Sequence, residues 1–333
     1  TEAQYALLLS TEEARRAVVI ALVSDVARTY VELRDLDRRL EISRRTLASR
    51  GEYRELARIR FEGGVTSEID FRQAEAEYHR VEGTVIDLER SVAQKENEIS
   101  VLLGRNPGKI SRSPAAGEFP VPPAVPAGLP SDLIERRPDV REAEEILVAS
   151  NARIGEAKAL LFPRIALTGS FGFESTEIDQ WLTAPAQAWS IGGSLLQPIF
   201  NAGQSRRRVE ASESQQRQAL YAYEKSIQAA LREVENAIVE YRKGGELRVS
   251  AAARAGADRK VLHLAELRYR GGVAGYLEVL DAQRSAFSSD LDESQAIRDH
   301  LVALIQLYKA LGGGWLPEAP QDEGSGQPPV PQG

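Results

Sequence analysis

The chain has 333 residues and a formal net charge of −7, with no cysteine and no methionine. Without cysteine there is no disulfide framework and no thiolate site. The acidic balance, with no basic stripe interleaved with aromatics, argues against a nucleic-acid partner. The absence of any apolar run of about eighteen residues excludes an α-helical membrane span, but not a β-barrel with short alternating strands.

From about Glu12 to Arg60 there is no proline, and Gly51 is the only glycine. Val19, Leu22, Val26, Tyr30, Leu33, Leu36 and Leu40 recur about every three and a half residues, the period of a left-handed coiled-coil seam. A helix of roughly fifty residues would span about 75 Å, more than a compact domain needs. Phe61-Glu62-Gly63-Gly64-Val65-Thr66-Ser67 then breaks the pattern. Ser67 is an N-cap candidate for a second helix running to Leu103, with Gly104 just past its end and Asp70 in its first turn. Residues 105–130 are rich in proline, including Pro120, Pro122, Pro123, Pro126 and Pro130, and read as an extended linker.

Ser131-Asp132-Leu133-Ile134-Glu135 opens a short helix with capping chemistry. Arg136-Arg137-Pro138 interrupts it, and Asp139 can cap the next helix, which runs to about Leu161 before Phe162-Pro163 ends it. Arg164 to Glu174 switches to period two, with Ile165, Leu167, Gly169, Phe171 and Phe173 on one face. After a loop containing Trp181 and Pro185, a second alternating run goes from Trp189 to Leu195. Each run has about eleven residues, the length of a tilted transmembrane strand. The apolar face suits lipid and the small polar face an aqueous lumen, although a soluble hairpin on a core has the same alternation. A lone hairpin is only marginally stable, so this one needs strands from elsewhere.

A second very long helix is expected from Gln204 to Tyr269, with Leu220, Tyr223, Ile227, Leu231, Val234, Ile238 and Tyr241 as its seam. It aligns with the first half at an offset of 208 residues without gaps: Val23 falls on Leu231, Val26 on Val234 and Gly63-Gly64-Val65 on Gly271-Gly272-Val273. Leu103-Gly104 likewise falls on Leu311-Gly312. Such coincidence of seam, turn and terminus marks a duplication. It predicts that roughly eighty residues carrying a helix and a β-hairpin precede Thr1 in a longer parent protein. The fold class is thus mainly α, with long antiparallel coiled-coil hairpins in two repeats plus a transmembrane β-hairpin. The expected divisions are 1–104 for the first helical hairpin, 105–130 for the linker and 131–163 for short helices. They continue with 164–200 for the β-hairpin, 201–312 for the second helical hairpin and 313–333 for a disordered tail.

Between the helices of the second repeat, Arg268 to Arg284 holds a turn punctuated by Gly271, Gly272 and Gly275, with the next helix beginning near Tyr276. Leu277, Asp281 and Arg284 share one face of that helix. Alone, they are either a surface ion pair beside a leucine or a contact to something outside the helix. In the duplication Asp281 and Arg284 fall opposite Gln73 and Ala76, so only one hairpin carries this acid and base.

Gly128-Leu129-Pro130-Ser131-Asp132-Leu133-Ile134-Glu135-Arg136-Arg137-Pro138-Asp139-Val140 resembles the hallmark of outer-membrane factors of the TolC family, most closely their lipoprotein branch. Phe162-Pro163-Arg164-Ile165-Ala166-Leu167, Pro198-Ile199-Phe200-Asn201-Ala202-Gly203, Tyr276 to Arg284 and Leu307 to Trp315 match the same branch. The resemblance implies a homotrimer in which each chain gives four strands to one twelve-stranded barrel above a helical tunnel. It implies the outer membrane of a Gram-negative bacterium, a periplasmic adaptor (membrane fusion) protein and an inner-membrane pump of the RND type as partners, and contact with outer-membrane lipid. Asp281 matches the family's acidic ring at the periplasmic entrance, and Leu277 its apolar constriction. Tyr269 and Arg284 match residues that tie the inner hairpin shut, and Asp70, by its place after the first turn, matches a partner in that tie. On this reading each tie is partly exposed and individually weak, and the turns at Gly63, Gly64, Gly271 and Gly272 are the adaptor-docking tips.

No phosphate loop or nucleophile motif is present, and His79, His263 and His300 are not at metal-ligand spacing, so no enzyme activity, cofactor or metal is expected. The leading expectation is a passive, gated exit duct for small molecules in a tripartite efflux system. A channel for type I protein secretion and a pore-less coiled-coil scaffold or adaptor are the alternatives.

Overall fold

The computed structural model describes residues 1–112, 136–174 and 187–313. The described elements are α1 (Glu2–Glu62), α2 (Glu68–Leu102), α3 (Pro138–Ala159), β1 (Arg164–Phe173), β2 (Gln187–Leu196), α4 (Gln204–Arg270) and α5 (Tyr276–Ala310). α1 starts at Glu2 rather than near Glu12, because the first eleven residues are free of glycine and proline. α3 stops at Ala159, and Asp139 lies inside its first turn, where it favours the helix dipole, rather than before it. The expected short helix at 131–135, most of the proline-rich linker, the loop with Trp181 and Pro185 and the tail beyond Gly313 lie outside the described residues.

The described chain divides into two compact units, Thr1–Arg15 with Pro138–Ala229, and Arg16–Arg137 with Ala230–Gly333; α1 and α4 contribute to both. In the first unit most buried positions are small, Ala3, Ala6 and Ser10 on α1 and Ala149, Ser150 and Ala157 on α3, with Val140 and Glu13 as larger exceptions. Arg141 of α3 reaches Glu13 of α1 at 3.8 Å.

In the second unit the seams form the core. Leu40, Val85 and Leu88 join α1 to α2, and Val234, Ala237, Leu307 and Ala310 join α4 to α5. Near α2's start, Ile42, Val81 and Phe287 bring α1, α2 and α5 together. The seams are shorter than the periodicity predicts, since Val19, Leu22 and Leu231 are exposed. The reason is antiparallel pairing. Glu32 meets Lys95 and Leu40 meets Leu88, so α2 ends close to Val26 and leaves Val19 and Leu22 beyond its reach. Leu231 lies past the end of α5 in the same way.

The duplication is reproduced in the three hydrogen bonds that close each turn. The N–H groups of Gly63, Gly64 and Val65 donate to the carbonyls of Ile59, Phe61 and Arg60, and those of Gly271, Gly272 and Val273 to Leu267, Tyr269 and Arg268, all at 2.9–3.1 Å. This is the Schellman arrangement, and it needs a left-handed residue, supplied by Gly64 (φ 71) and Gly272 (φ 73). The far ends repeat too: Leu103, Gly104 and Arg105 donate to Ile99, Val101 and Ser100 as Leu311, Gly312 and Gly313 do to Leu307, Lys309 and Tyr308. The residues before α2 and α5, Ser67 and Gly275, share extended dihedrals (φ −75, ψ 156 and φ −78, ψ 163). The Ser67 hydroxyl makes no capping bond, so the backbone turn rather than the expected side-chain cap sets where α2 begins.

No atom lies within 4 Å of a Cβ placed on Gly272, so Gly272→Ala meets only the backbone cost of a left-handed residue. It is expected to lower unfolding stability by about 1–2 kcal/mol. Gly256, in the interior of α4 and equally open, is the counterpart: Gly256→Ala is expected to raise stability by about 0.5–1 kcal/mol. Thermal melts of the two variants that move in the same direction would refute this account of the turn.

Arg137 has a structural role that its reading as a helix interruption missed. Buried, it donates to the Ala310 carbonyl at 2.9 Å and to the Glu233 carboxylate at 2.7 Å, tying the end of α5 to α4. Gly312 (φ 94) passes so close that a Cβ there would lie 3.2 Å from the Arg136 carbonyl.

β1 and β2 pair antiparallel, with Arg164 opposite Leu196 and Phe173 opposite Gln187. One face carries Ile165 opposite Leu195, Gly169 opposite Ile191 and Phe171 opposite Trp189. The other carries small polar residues, with Ser170 and Ser190 hydroxyls 2.9 Å apart. Ile165, Leu167, Phe171, Trp189 and Ile191 are all exposed, so the described chain covers neither face. No described helix is long and apolar enough to cross a membrane.

Candidate functional site

The richest constellation of the second unit lies at the two glycine turns. Tyr53 and Ala57 of α1, Ala74 of α2, Ala265 and Tyr269 of α4, and Tyr276, Val279 and Leu280 of α5 form one buried cluster. Apolar side chains from all four helices therefore converge where both hairpins reverse. The Tyr269 and Tyr276 rings meet edge to face at 5.9 Å, and the Arg60 guanidinium covers the Tyr269 ring at 4.7 Å. Burial pushes the Tyr276 phenol up to about 12, so it stays neutral, and its hydroxyl has no hydrogen-bond partner among the described residues.

Just above this cluster is a buried carboxylate, Glu77, whose side chain is 0% exposed. Arg80, one turn on, donates to it at 2.6 and 3.0 Å, and Arg284 of α5 donates at 3.0 Å. Arg50 of α1, itself buried, stands 3.9 Å from the same carboxylate and donates to the Gln283 carbonyl at 3.0 Å. One acid thus joins three helices. Burial opposes its charge, but hydrogen bonds from Arg80 and Arg284 outweigh this and hold Glu77 below the ordinary carboxylate value. Burial also lowers the Arg50 pKa, which Glu77 opposes. Next to this node Gln283 is fully buried, with neither amide atom partnered among the described residues. An adjoining cleft of about 470 Å³ is walled by Arg45, Arg50, Arg259 and Asp290, the last two paired at 2.7 Å.

The residues expected at this site are placed as follows. Arg284 does make an inter-helix tie, but to Glu77 and not to Asp70. The Asp70 carboxylate, half-buried in the first turn of α2, pairs with neither Arg284 nor Tyr269. Tyr269 is 5% exposed, so its contact is a packed ring and not the partly exposed tie expected. Leu277 and Asp281 are exposed on the α5 face opposite the buried Val279, Leu280 and Gln283, and no described side chain pairs with Asp281. The turn glycines Gly63, Gly64, Gly271 and Gly272 are exposed beside Val65 and Val273, also exposed. His79 pairs with Glu82 at 2.8 Å, His263 is exposed, and His300 stacks on Tyr241 at 4.7 Å.

Sequence reasoning missed Glu77. The pair Glu77 and Arg80 has i, i+3 spacing, the same as the exposed pairs Glu55 with Arg58 and Asp87 with Arg90. The available signal was the duplication, in which Glu77 falls opposite Ser285, beside Arg284.

The profile of the family described as "Outer membrane efflux protein" matches residues 1–105 and 129–313. The solvent efflux pump outer membrane protein SrpC of Pseudomonas putida is 40% identical over 309 residues, which cover 92% of this chain and 65% of that protein. Outer membrane protein OprJ of Pseudomonas aeruginosa is 38% identical over 320 residues, covering 95% of this chain and 66% of that one. The chain therefore spans just under two thirds of the length of these relatives. Among solved structures, the open-state MtrE outer membrane channel of Neisseria gonorrhoeae matches with a TM-score of 0.84 at 32% identity, covering 94% of this chain and 71% of the other.

Proposed function

We propose, for a chain that belongs to the family of outer membrane efflux proteins, that its parent protein is the passive exit channel of a tripartite efflux system. Three copies form the channel, which sits in the outer membrane and reaches into the periplasm. The observation that carries this reading is the hairpin β1–β2, with an exposed apolar face and an exposed polar face, joined to two copies of one long helical hairpin. A lone hairpin is marginal in water, and neighbouring strands that complete a barrel would pair both its edges. The names of the relatives favour efflux of small molecules over protein secretion, and family membership speaks against a pore-less scaffold.

The turns are the docking end for a periplasmic adaptor, which connects to an inner-membrane pump of the RND type. Leu277 and Asp281, left open on α5, narrow the lumen: a ring of Asp281 carboxylates disfavours anions at close range. Arg284, Glu77 and the packed Tyr269 hold the inner hairpin closed. The Gln283 amide and the Tyr276 hydroxyl have no partner among the described residues, and a buried polar group left unpaired works against the ties. That opposition supports a gate that an adaptor can release.

Purified full-length protein in planar lipid bilayers tests the channel. Discrete cation-preferring pores of low conductance are expected, and a trimer that forms no pore would reject the reading.

A further inference from the structure

The β-hairpin and the segments that enter and leave it carry aromatic residues at two levels. At the loop end Phe171 faces Trp189 in register, and Phe173 packs edge-on against Phe171 at 6.0 Å. At the base Phe162 precedes β1, and Ile199 and Phe200 follow β2; the three are 68%, 95% and 91% exposed. Gln197 donates to the Leu161 carbonyl at 3.2 Å and holds the two ends of the base together. Strands of ten residues, tilted as barrel strands are, set the two levels about 25 Å apart, the height of an apolar membrane band.

Charge is segregated along the same axis. Lys158, Arg164, Arg206, Arg207 and Arg208 are exposed around the base, whereas no aspartate or glutamate occurs in 158–173 or 187–209. Glu174 follows β1 at the loop end. Among the basic residues only Arg207 has an acidic partner in the described structure, Glu210 at 2.8 Å. The chain reverses at Ala202 (φ 50) and Gly203 (φ 80), and the Asn201 amide donates to the Ser205 hydroxyl at 2.7 Å. Ile199 and Phe200 therefore lie on one arm of a tight turn and the three arginines on the other.

We propose that this base is a binding site for anionic phospholipid headgroups of the periplasmic leaflet. The inference rests on the outer-membrane channel reading. The apolar residues enter the acyl boundary, while Arg206 and Arg208, which have no ion-pair partner among the described residues, each offer a fork of N–H donors to lipid phosphates. A zwitterionic headgroup satisfies the same hydrogen bonds but leaves the clustered positive charge uncompensated. The surface therefore selects net negative charge.

Native mass spectrometry of the full-length trimer, released from mild detergent with equimolar phosphatidylglycerol and phosphatidylcholine, tests the site. The wild type is expected to retain phosphatidylglycerol preferentially, and Arg206→Ser with Arg208→Ser to reduce that preference roughly tenfold. Arg206→Lys with Arg208→Lys should keep most of it, with a preference that weakens as salt rises. Equal retention of the two lipids by the wild type, or an unchanged preference in the serine variant, overturns the site. Conductance in pure phosphatidylcholine bilayers separates the two readings. Pores there without a lipid preference overturn the lipid site alone, whereas no pores in either lipid overturns the channel and the site together.

Discussion

Glu77→Leu in the full-length protein is expected to cost about 3–5 kcal/mol of unfolding stability, the loss that follows removal of one partner from a buried ion pair. Arg50, 3% exposed, would keep its bond to the Gln283 carbonyl but lose the carboxylate 3.9 Å away that balances most of its charge. Arg80→Ala is the control. Arg80 is half exposed, and without it Arg284 still donates to the carboxylate at 3.0 Å, so this loss should be clearly the smaller of the two. Denaturant titrations followed by circular dichroism would measure both, and equal small losses would show the node to be an ordinary surface network. The effect should also depend on pH. Glu77 is held below its ordinary value of 4.5 when folded, so its contribution is fully present above that value and is lost as pH falls through the lowered one. The stability gap between wild type and Glu77→Leu should therefore close on acidification.

The second large effect is on conductance. Asp281→Ala combined with Arg284→Glu is expected to raise single-channel conductance several-fold. The glutamate would set a second carboxylate against Glu77 where Arg284 now donates at 3.0 Å, so the α5 to α2 tie becomes a repulsion. Asp281→Ala alone should act differently. Its carboxylate makes no tie among the described residues, so the single change should lower cation preference without opening the pore. A double variant with wild-type conductance in planar bilayers would reject the gate assignment.

The division of labour between these residues reflects what a linear chain displays. Glycine spacing at Gly63-Gly64 and Gly271-Gly272 announced both turns, because a Schellman turn closes its bonds within six residues and requires a left-handed position. Period two announced β1 and β2 for a similar reason: alternation is a property of the strand itself. Leu277, Asp281 and Arg284 could be set on one helix face by counting. Counting could not say which tie Arg284 makes. Asp70 and Glu77 are both acids early in α2, and only the packing of α2 against α5 puts Glu77, 207 residues away in sequence, within hydrogen-bond reach.

The sequence by itself thus determined the elements, their duplication and the two-faced hairpin, since each depends on interactions between residues close along the chain. Burial was decided only by the tertiary structure. It turned Glu77 from one of many i, i+3 partners into a shared anchor, made Tyr269 a packed ring rather than a loose tie, and exposed Val19 and Leu22 past the end of α2. Helical periodicity tells which side chains lie on the same face of a helix. The length and pairing of the opposing helix decide which of them lose water, and with that whether a charge is a solvated ornament or part of the lock.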